Sequence, residues 1–373
     1  MFKIGLCEIM KKKILVILSF VFLLGWLLAL SLDEIKNKAR FKKEYPSVNL
    51  VAWWDIMLSR GIGRWARLEW YCLVFTWDNY NPLTQYDCYQ SWDCILFFNL
   101  ESIFSKDDND QPKGWFSFRA NTNNLQYLRD LRKENDLILS LANNHTSNAG
   151  WAGMRLTHQV LDEEWIAYIW AWNNTEEAQE IKRIEKNWIS LCFQSFSYDG
   201  TAWMYYGESL AWNPLNIDLM KETLSWMNEL WCDVKILNLH WWAEYHFHPY
   251  QWQRDLAYEL IDAWADIILG WHSHVPGPYE EYNGKPIFYS FGNMIFDQDR
   301  GRKSAEFDFI YDFELKRRTV PTYIPLLAWL KITKYWTWIE ISQPEFKMAR
   351  VSKGIYSPMD EETFVGIMSE ISF

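Results

Sequence analysis

The chain has 373 residues, of which 49% are hydrophobic and 23% are charged, and its formal net charge is −11 at pH 7. The hydrophobic content excludes a disordered chain, and an acidic chain without a basic stripe is a poor partner for nucleic acid. Trp occurs 25 times but Gly only 16 times, although Gly usually makes up about 7% of a protein.

The N-terminal segment has the charge pattern of a membrane anchor. Lysines at 11–13 precede an uninterrupted apolar run, Ile14–Leu30, and acidic residues follow it. The run reaches the lower limit of about 17 residues for a spanning helix, and the positive-inside bias places the N-terminus in the cytoplasm. We predict a single-pass anchor in the cell membrane with the body extracytoplasmic; a cleaved secretion signal is the alternative. Met10 is an alternative to Met1 as the first residue of the translated chain.

The predicted organisation has four parts. Residues 1–32 are a cytoplasmic stub and transmembrane anchor, and residues 33–47 are a charged tether. Residues 48–300 form the main domain. Residues 301–373 add C-terminal strands that complete the domain, and a tail.

The body alternates short apolar runs with helical patterns, which is typical of an α/β domain. In chain order we predict strands at 48–52, 95–98, 137–141, 166–169, 234–239, 267–269 and 286–290, and helices at 125–133, 156–164, 219–230 and 253–263. Polar clusters stand directly after several of these strands, where ligands bind in layered α/β folds.

The six cysteines include no C-x-x-C pair, which argues against a zinc ribbon or a thioredoxin motif. Cys88 and Cys94 are predicted to be isolated small hydrophobic residues. A disulfide between them in an oxidising compartment is the alternative.

Histidines and acidic residues recur at the predicted strand ends. They are His145, His240, His272 and His274, with Asp55 and Glu101 in equivalent positions. Imidazole, carboxylate and amide groups that converge from strand ends suit a divalent cation such as Zn, Mn or Fe. We therefore predict a metal site at this edge of the fold.

Seven short motifs resemble those of the CapA family, bacterial capsule or poly-γ-glutamate synthesis proteins with a metallophosphatase-like fold. The matching segments are residues 55–60 (D-I-M-L-S-R), 99–101 (N-L-E), 118–120 (F-R-A), 142–146 (A-N-N-H-T), 240–245 (H-W-W-A-E-Y), 270–275 (G-W-H-S-H-V) and 284–293 (G-K-P-I-F-Y-S-F-G-N). They follow the family's order and span about two-thirds of the chain.

The resemblance implies a four-layer α-β-β-α sandwich with one or two divalent ions, Mn, Zn or Fe, at the strand ends. The ligands carried over are Asp55, Glu101, Asn144, His240, His272 and His274. His145, with Asn144, would act beside the metal by protonating a leaving group or positioning a substrate oxyanion. Glu244 and Asn293 would bind substrate or support the ligands, with loop-capping and turn roles as the alternatives.

One position departs from the wider metallophosphatase pattern. Those enzymes usually have D-x-H at the first strand, whereas Met57 holds the histidine position here, as is usual in the CapA-like branch. One metal position is therefore expected to be weak or empty. His246 and His248 are expected at the rim of the cleft.

The resemblance leaves two functions open. The first is a metal-dependent hydrolase that acts on a phosphoester, or on an amide such as a γ-glutamyl link in a surface polymer. The second is a non-catalytic polymer-binding or export subunit of a capsule or poly-γ-glutamate machine, with membrane subunits as partners. The ligand set favours the first and Met57 favours the second.

Many Trp residues stand where the CapA-like motifs have Gly or where a turn is expected. They are Trp54, Trp92, Trp115, Trp165, Trp170, Trp172, Trp231, Trp242, Trp264 and Trp271, whereas Trp241 matches a Trp of the family. Gly is used at turns because it accepts positive φ. We predict that many of these letters are UGA codons that the organism reads as Gly. Exposed aromatic surfaces for carbohydrate binding are the alternative.

Overall fold

The computed structural model describes residues 45–60, 62, 82–106, 117–169, 175–198, 214–241, 244–296, 310–312, 317–319, 322–352, 355–359 and 361–371. The predicted anchor, Ile14–Leu30, lies outside these residues. Among the described helices, none combines the length and the apolar character that a membrane span requires.

The described elements alternate between strands and helices. The strands are β1 (Ser47–Ile56), β2 (Cys94–Leu100), β3 (Ile103–Ser105), β4 (Arg119–Asn121), β5 (Asp136–Ser140), β6 (Ala167–Ile169), β7 (Lys182–Lys186), β8 (Ile189–Ser197), β9 (Val234–His240), β10 (Ile267–Trp271), β11 (Tyr279–Tyr282), β12 (Lys285–Phe288), β13 (Asn293–Ile295), β14 (Ile310–Asp312), β15 (Arg317–Thr319), β16 (Leu326–Lys334), β17 (Ile339–Ile341), β18 (Glu345–Ser352) and β19 (Ile355–Pro358). The helices are α1 (Asp87–Gln90), α2 (Leu125–Arg132), α3 (Gly150–Glu163), α4 (Thr175–Ala178), α5 (Ile217–Glu229), α6 (Gln251–Asp262) and α7 (Glu361–Ile371).

Two large sheets form the centre of the fold. The first has the order β19-β18-β16-β1-β2-β5-β6, with β13 also paired to β1 and β17 to β16, and the second has the order β11-β12-β10-β9-β8-β7. In both sheets the central neighbours β1, β2, β5 and β8, β9, β10 run parallel. Every residue of β2 and β9 is buried, as expected for parallel strands that are covered on both faces.

The two sheets pack face to face, and helices cover the second sheet from outside. Phe97 of the first sheet stacks on Phe193 of the second with ring centroids 5.3 Å apart. Asn238 Nδ2 donates to Ser140 Oγ across the same interface at 2.9 Å. The apolar faces of α5 and α6 form a separate core with the other side of the second sheet, and α2 and α3 join the core of the first sheet. The α/β class predicted from the sequence is confirmed.

The α5 helix shows how the sequence sets these layers. Its side-chain cap is Asn216, whose Oδ1 accepts from the Leu219 backbone N–H at 3.0 Å, which satisfies one of the free N–H groups of the first turn. Met220, Leu224 and Met227 recur at helical spacing and are fully buried. The helix therefore presents one apolar stripe to the sheet.

Two elements differ from the sequence expectations. The helix expected to begin at Leu156 begins at Gly150, because its first turn packs against β3: a Cβ on Gly153 would lie 3.0 Å from the Phe104 carbonyl oxygen. Gly has a low helix propensity, but the close approach of the two backbones leaves no space for a Cβ at this position. Strand β8, which is central in the second sheet, has no counterpart among the predicted strands.

The expectation that Cys88 and Cys94 are isolated hydrophobic residues is wrong. They form a disulfide, and a second disulfide joins Cys192 to Cys232. The sequence pattern misleads because Cys94 begins β2 and Cys88 lies in α1 just before it, so the turn between them brings the two side chains together.

After residue 322, the chain returns to the first sheet. Strand β16 pairs antiparallel with β1 from Ser47↔Thr333 to Ala52↔Ala328. The domain boundary at residue 300 stays a prediction.

Loss of the Cys192–Cys232 disulfide is expected to destabilise the fold. The bond spans a sequence separation of 40, and removing a native disulfide typically costs about 2–4 kcal/mol. Cys192→Ala combined with Cys232→Ala should lower the urea midpoint measured by circular dichroism. Reductant should lower the midpoint of the parent by more than that of the variant, which retains Cys88–Cys94. Equal midpoints without reductant would contradict the disulfide.

The half-buried His158 is expected to give the protein an acid-sensitive stability. Its ring stacks on Tyr168 at 4.9 Å, and burial lowers its pKa, although the charges of Asp162 and Glu177 oppose this. A folded-state pKa below the unfolded value of about 6.5 gives stability that is present above that value and is lost as the pH falls through the folded pKa.

His158→Gln should therefore reduce the fall in unfolding free energy between pH 7 and pH 5. His248→Gln, made at an exposed histidine, is the matched control for the substitution itself. If both variants have the same pH profile as the parent, His158 does not carry this effect.

Candidate metal centre

The carboxyl ends of strands from both sheets converge on one group of buried polar residues. In the first sheet Asp55 pairs with Asn99 and with Asn293, and Glu101 follows β2 directly. In the second sheet His240 pairs with Trp271, which directly precedes His272. Because parallel strands end at the same edge of a sheet, the register places these residues side by side.

The first candidate metal position consists of Glu101, His240 and His272. Each offers one ligand atom, these atoms lie within 4.8 Å of one another, and all three residues are buried. Both carboxylate oxygens of Glu101, Nδ1 of His240 and Nδ1 of His272 have no hydrogen-bond partner among the described residues. A buried polar atom without a partner costs free energy, and a bound cation satisfies carboxylate oxygens and imidazole nitrogens together.

The second nitrogen of each of these imidazoles is held by a neighbour. His240 Nε2 lies 3.1 Å from Asn144 Oδ1, and His272 Nε2 lies 3.3 Å from the Tyr198 hydroxyl. Since an amide oxygen only accepts, His240 carries its proton on Nε2 and presents the Nδ1 lone pair. Such hydrogen bonds fix the ring orientation and tautomer of metal-binding histidines.

The second candidate position consists of Asp55, Glu101 and His274. Asp55 and His274 are already hydrogen-bonded within the protein. Asn99 Nδ2 donates to Asp55 Oδ1 at 2.7 Å, and His274 Nδ1 lies 2.9 Å from Asn293 Oδ1 and 3.5 Å from Asp55 Oδ2. The contact with Asn293 therefore fixes the orientation of the His274 ring.

Burial and neighbouring charges shift the pKa values of the histidines at the two positions in opposite directions. Burial lowers the pKa of His240 and of His272, and the neighbouring histidines lower both further. Burial also acts to lower the pKa of His274, but the Glu101 charge and the Asp55 hydrogen bond raise it to about 9. The pKa of Glu101 lies well above its usual range because the carboxyl is buried, although His274 opposes this. The first position thus presents neutral imidazoles, the form that binds metals.

His145 faces the same centre from the first sheet. Its Nε2 lies 3.7 Å from Glu101 Oε1 and 3.2 Å from Asn144 Nδ2. Its Nδ1 lies 3.0 Å from Asn148 Oδ1, and the ring stacks on Phe118 with centroids 3.7 Å apart. These contacts aim Nε2 at the centre.

Glu244 lies at the mouth of the site rather than within it. Its side chain is 45% exposed, and Oε1 lies 3.8 Å from His272 Nε2. It forms a further grouping with His272 and His274. His246 is half-buried and His248 is exposed, so neither is part of the buried group. Trp242 and the side chain of Trp54 lie outside the described residues.

Tyr198 and Arg60 are two residues of the site that the sequence reasoning did not assign. Tyr198 follows β8, and its backbone N–H donates to the His240 carbonyl at 3.0 Å. The Arg60 guanidinium lies 5.0 Å above the Phe118 ring, and its charge acts to lower the pKa of Glu101. Tyr198 directly follows β8, a strand in which polar and apolar residues are mixed and which is not among the strands predicted from the sequence.

The donor set fits a divalent transition metal. Imidazole nitrogens with a carboxylate suit Zn, Mn or Fe, whereas the predicted ligand Asn144 uses its Oδ1 to accept from His240 Nε2. The two packed sheets carry this group at the carboxyl ends of their parallel strands. The chain belongs to the family of bacterial capsule synthesis proteins, PGA_cap, whose model matches residues 49–298.

Two curated relatives of the chain are CapA proteins of PGA or capsule biosynthesis. The chain is 31% identical to the PGA biosynthesis protein CapA of Bacillus subtilis over 191 residues, covering 50% of this chain and 49% of that protein. It is 32% identical to the capsule biosynthesis protein CapA of Bacillus anthracis over 168 residues, covering 43% of this chain and 40% of that protein. The chain thus spans about half the length, or less, of the curated relatives it matches.

Solved structures of related architecture are more distant. A calcineurin-like phosphoesterase of Bacillus subtilis, YfkN, matches at 14% identity and a TM-score of 0.43, covering 87% of this chain and 96% of that chain. A phosphatase from Mycoplasma pneumoniae matches at 12% identity and a TM-score of 0.46, covering 86% and 99%. Similarity at these values carries no argument about activity.

His272→Ala is expected to abolish tight binding of Mn²⁺ or Zn²⁺ to the purified protein. The substitution removes one of three buried ligands, and the orphaned atoms of Glu101 and His240 that remain cannot complete a site. Isothermal titration calorimetry measures the loss, with His248→Ala as the exposed control that should bind like the parent. Unchanged binding by His272→Ala would contradict the assignment of His272.

Proposed function

We propose that the protein is a metal-dependent, phosphoesterase-like hydrolase of capsule or poly-γ-glutamate synthesis. One observation carries the proposal: buried carboxylate oxygens and imidazole nitrogens of Glu101, His240 and His272 meet without hydrogen-bond partners among the described residues. A structural role alone gives no reason to leave such atoms unsatisfied. The substrate class is a phosphoester or an amide such as a γ-glutamyl link.

The chain's own groups account for binding and proton transfer. A divalent cation, when bound, supplies Lewis acidity to the scissile group and activates water. His145 Nδ1 donates to Asn148 Oδ1 and the ring stacks on Phe118, so that Nε2 faces the centre. In the neutral ring Nε2 accepts from Asn144 Nδ2, and in the protonated ring Nε2 would donate to a leaving group or a substrate oxyanion. The Arg60 guanidinium offers positive charge to an anionic substrate at the edge of the site.

Glu244 and Tyr198 complete the surroundings of the reacting group. Glu244 is exposed at the mouth, where it contacts the part of a substrate that remains in solvent. The Tyr198 ring lies parallel to His240, 6.2 Å away, and its hydroxyl keeps the His272 ring in place.

We also propose that the body lies outside the cytoplasm, joined to the cell membrane by the segment 1–32. The two disulfides support this location, because disulfides persist in oxidising compartments and are rare in the cytoplasm. A surface polymer and membrane subunits of a capsule-synthesis machine are the partners that this location suits.

A non-catalytic role in a polymer-assembly machine is the second candidate. Met57 stands where catalytic metallophosphatases usually have His, and it favours this candidate. In that case the metal stabilises the fold or holds polymer without cleavage.

Activity of purified protein against bis(p-nitrophenyl) phosphate and against poly-γ-glutamate separates the two candidates. We expect His145→Ala to reduce kcat by about 10²–10⁴-fold, the usual contribution of an acid–base group, with metal binding retained. His248→Ala should keep the parental kcat. Metal binding without turnover of either substrate class would support the non-catalytic role and overturn the hydrolase.

A further inference from the structure

Met57 stands two residues after Asp55, directly after the end of β1. Met57 is fully buried, and its sulfur accepts hydrogen bonds from the Ser59 hydroxyl at 2.9 Å and from the Ser59 backbone N–H at 3.3 Å. The sulfur is therefore engaged by its own loop.

The two metal positions also differ in which atoms remain available. At the first position, Glu101, His240 and His272 present four atoms without hydrogen-bond partners among the described residues. At the second, Asp55 Oδ1 is bonded to Asn99 and His274 Nδ1 to Asn293. Of the three residues of the second position, only Glu101, which both positions share, has buried atoms without hydrogen-bond partners among the described residues, and position 57 supplies no histidine.

We infer that the protein binds one divalent ion tightly, at the Glu101, His240 and His272 position, and that Met57 keeps the second position from filling. This inference rests on the proposed metal-dependent function, but metal stoichiometry tests it without reference to turnover. Because Glu101 belongs to both candidate positions, it would serve both ions if both positions were filled.

The experiment measures Mn²⁺ content of the dialysed protein by elemental analysis, together with its electron paramagnetic resonance spectrum. We expect one ion per chain and the spectrum of an isolated Mn²⁺. Met57→His should raise the content towards two and give a spectrum of two coupled ions. Met220→His places the same substitution at a buried methionine of α5, outside the site, and should keep one ion.

The outcomes distinguish this inference from the proposed function. Two tightly bound ions in the parent would overturn the single-ion inference and leave the hydrolase proposal intact. One ion without hydrolytic activity would overturn the hydrolase proposal and leave the inference intact. If Met57→His fails to fold, Asp55→Asn decides: one retained ion supports the inference, and loss of all metal overturns it.

A second, independent observation concerns the backbone of the tryptophans. Five of the twelve described non-glycine residues with positive φ are Trp. They are Trp92, Trp165, Trp188, Trp231 and Trp264, with φ from 55° to 80° and exposures from 56% to 89%. A β-carbon makes this left-handed region unfavourable by roughly 1–2 kcal/mol per residue, and an exposed indole offers little packing in return.

Four of these tryptophans end helices in the arrangement that favours Gly. After α3, the Trp165 N–H donates to the Asp162 carbonyl and the Ile166 N–H to the Leu161 carbonyl. This pair of bonds is a Schellman motif, in which the left-handed residue is usually Gly. The same pair of bonds recurs around Trp92, Trp231 and Trp264.

The fifth, Trp188, lies in a two-residue hairpin that has a glycine-containing counterpart in the same chain. Asn187 and Trp188 connect β7 to β8 with φ of 51° and 64°, and Asn283 and Gly284 connect β11 to β12 with φ of 51° and 72°. Positive φ at both positions defines a type I′ turn, for which Asn-Gly is the preferred sequence.

Two buried tryptophans behave differently. Trp241 has no positive φ, is buried, and its indole N–H donates to the Tyr289 carbonyl at 3.0 Å. Trp271 lies in β10 and is buried, so its expected turn context is wrong.

We infer that residues 92, 165, 188, 231 and 264 are Gly in the native protein, encoded by UGA. An aromatic carbohydrate-binding surface does not explain the positive φ at these five residues. Such a surface requires exposed rings, but it does not require a left-handed backbone at each of them. The five turns all precede strands, at the ends of β2, β6, β8, β9 and β10 opposite the metal centre.

Peptide mass spectrometry of the protein isolated from its own cells, with its gene sequence, tests this inference. We expect Gly and UGA at the five positions, and Trp and UGG at position 241. Trp or UGG at the five positions would overturn it. In protein made with Trp throughout, Trp165→Gly should raise the melting temperature and Trp241→Gly should lower it; a fall in both would also contradict the backbone argument.

Discussion

The fold depends on the placement of one carboxylate. Glu101 is fully buried, its oxygens lack hydrogen-bond partners among the described residues, and its pKa is raised by burial. A charge in such surroundings is stable only beside compensating charge. The sandwich provides it by bringing His274 from the second sheet to within 3.8 Å of Glu101 from the first, and this contact ties the two sheets to one arrangement.

The sequence predicted the α/β class and the family because both depend on local patterns. Apolar runs mark buried parallel strands, and the strand-end motifs mark the positions of Asp55, Glu101, His240, His272 and His274. Strand β8 could not be recognised because its residues Ile189–Ser197 mix apolar and polar side chains, although every one is buried. Tyr198 was missed with it, since its role depends on a contact with His272 that no sequence spacing reveals.

Other features depend on three-dimensional contacts that a pattern cannot supply. The difference between the two metal positions depends on which atoms already make hydrogen bonds, as Asp55 Oδ1 does with Asn99. The Cys192–Cys232 pair joins residues 40 apart that meet only because β8 and β9 are neighbours. By contrast, the glycine-like positions of Trp165, Trp231 and Trp264 were visible from sequence because each follows a helix and precedes a strand.

The Cys192–Cys232 disulfide has a topological consequence for proteolysis of the chain. It encloses the chain between residues 192 and 232 in a covalent ring that includes α5. A single peptide-bond cleavage between residues 198 and 232 leaves the two fragments covalently joined, with β8 on one fragment and β9 on the other. A nicked molecule therefore keeps Glu101, on the first fragment, in one covalent assembly with His240 and His272, on the second, until the disulfide is reduced.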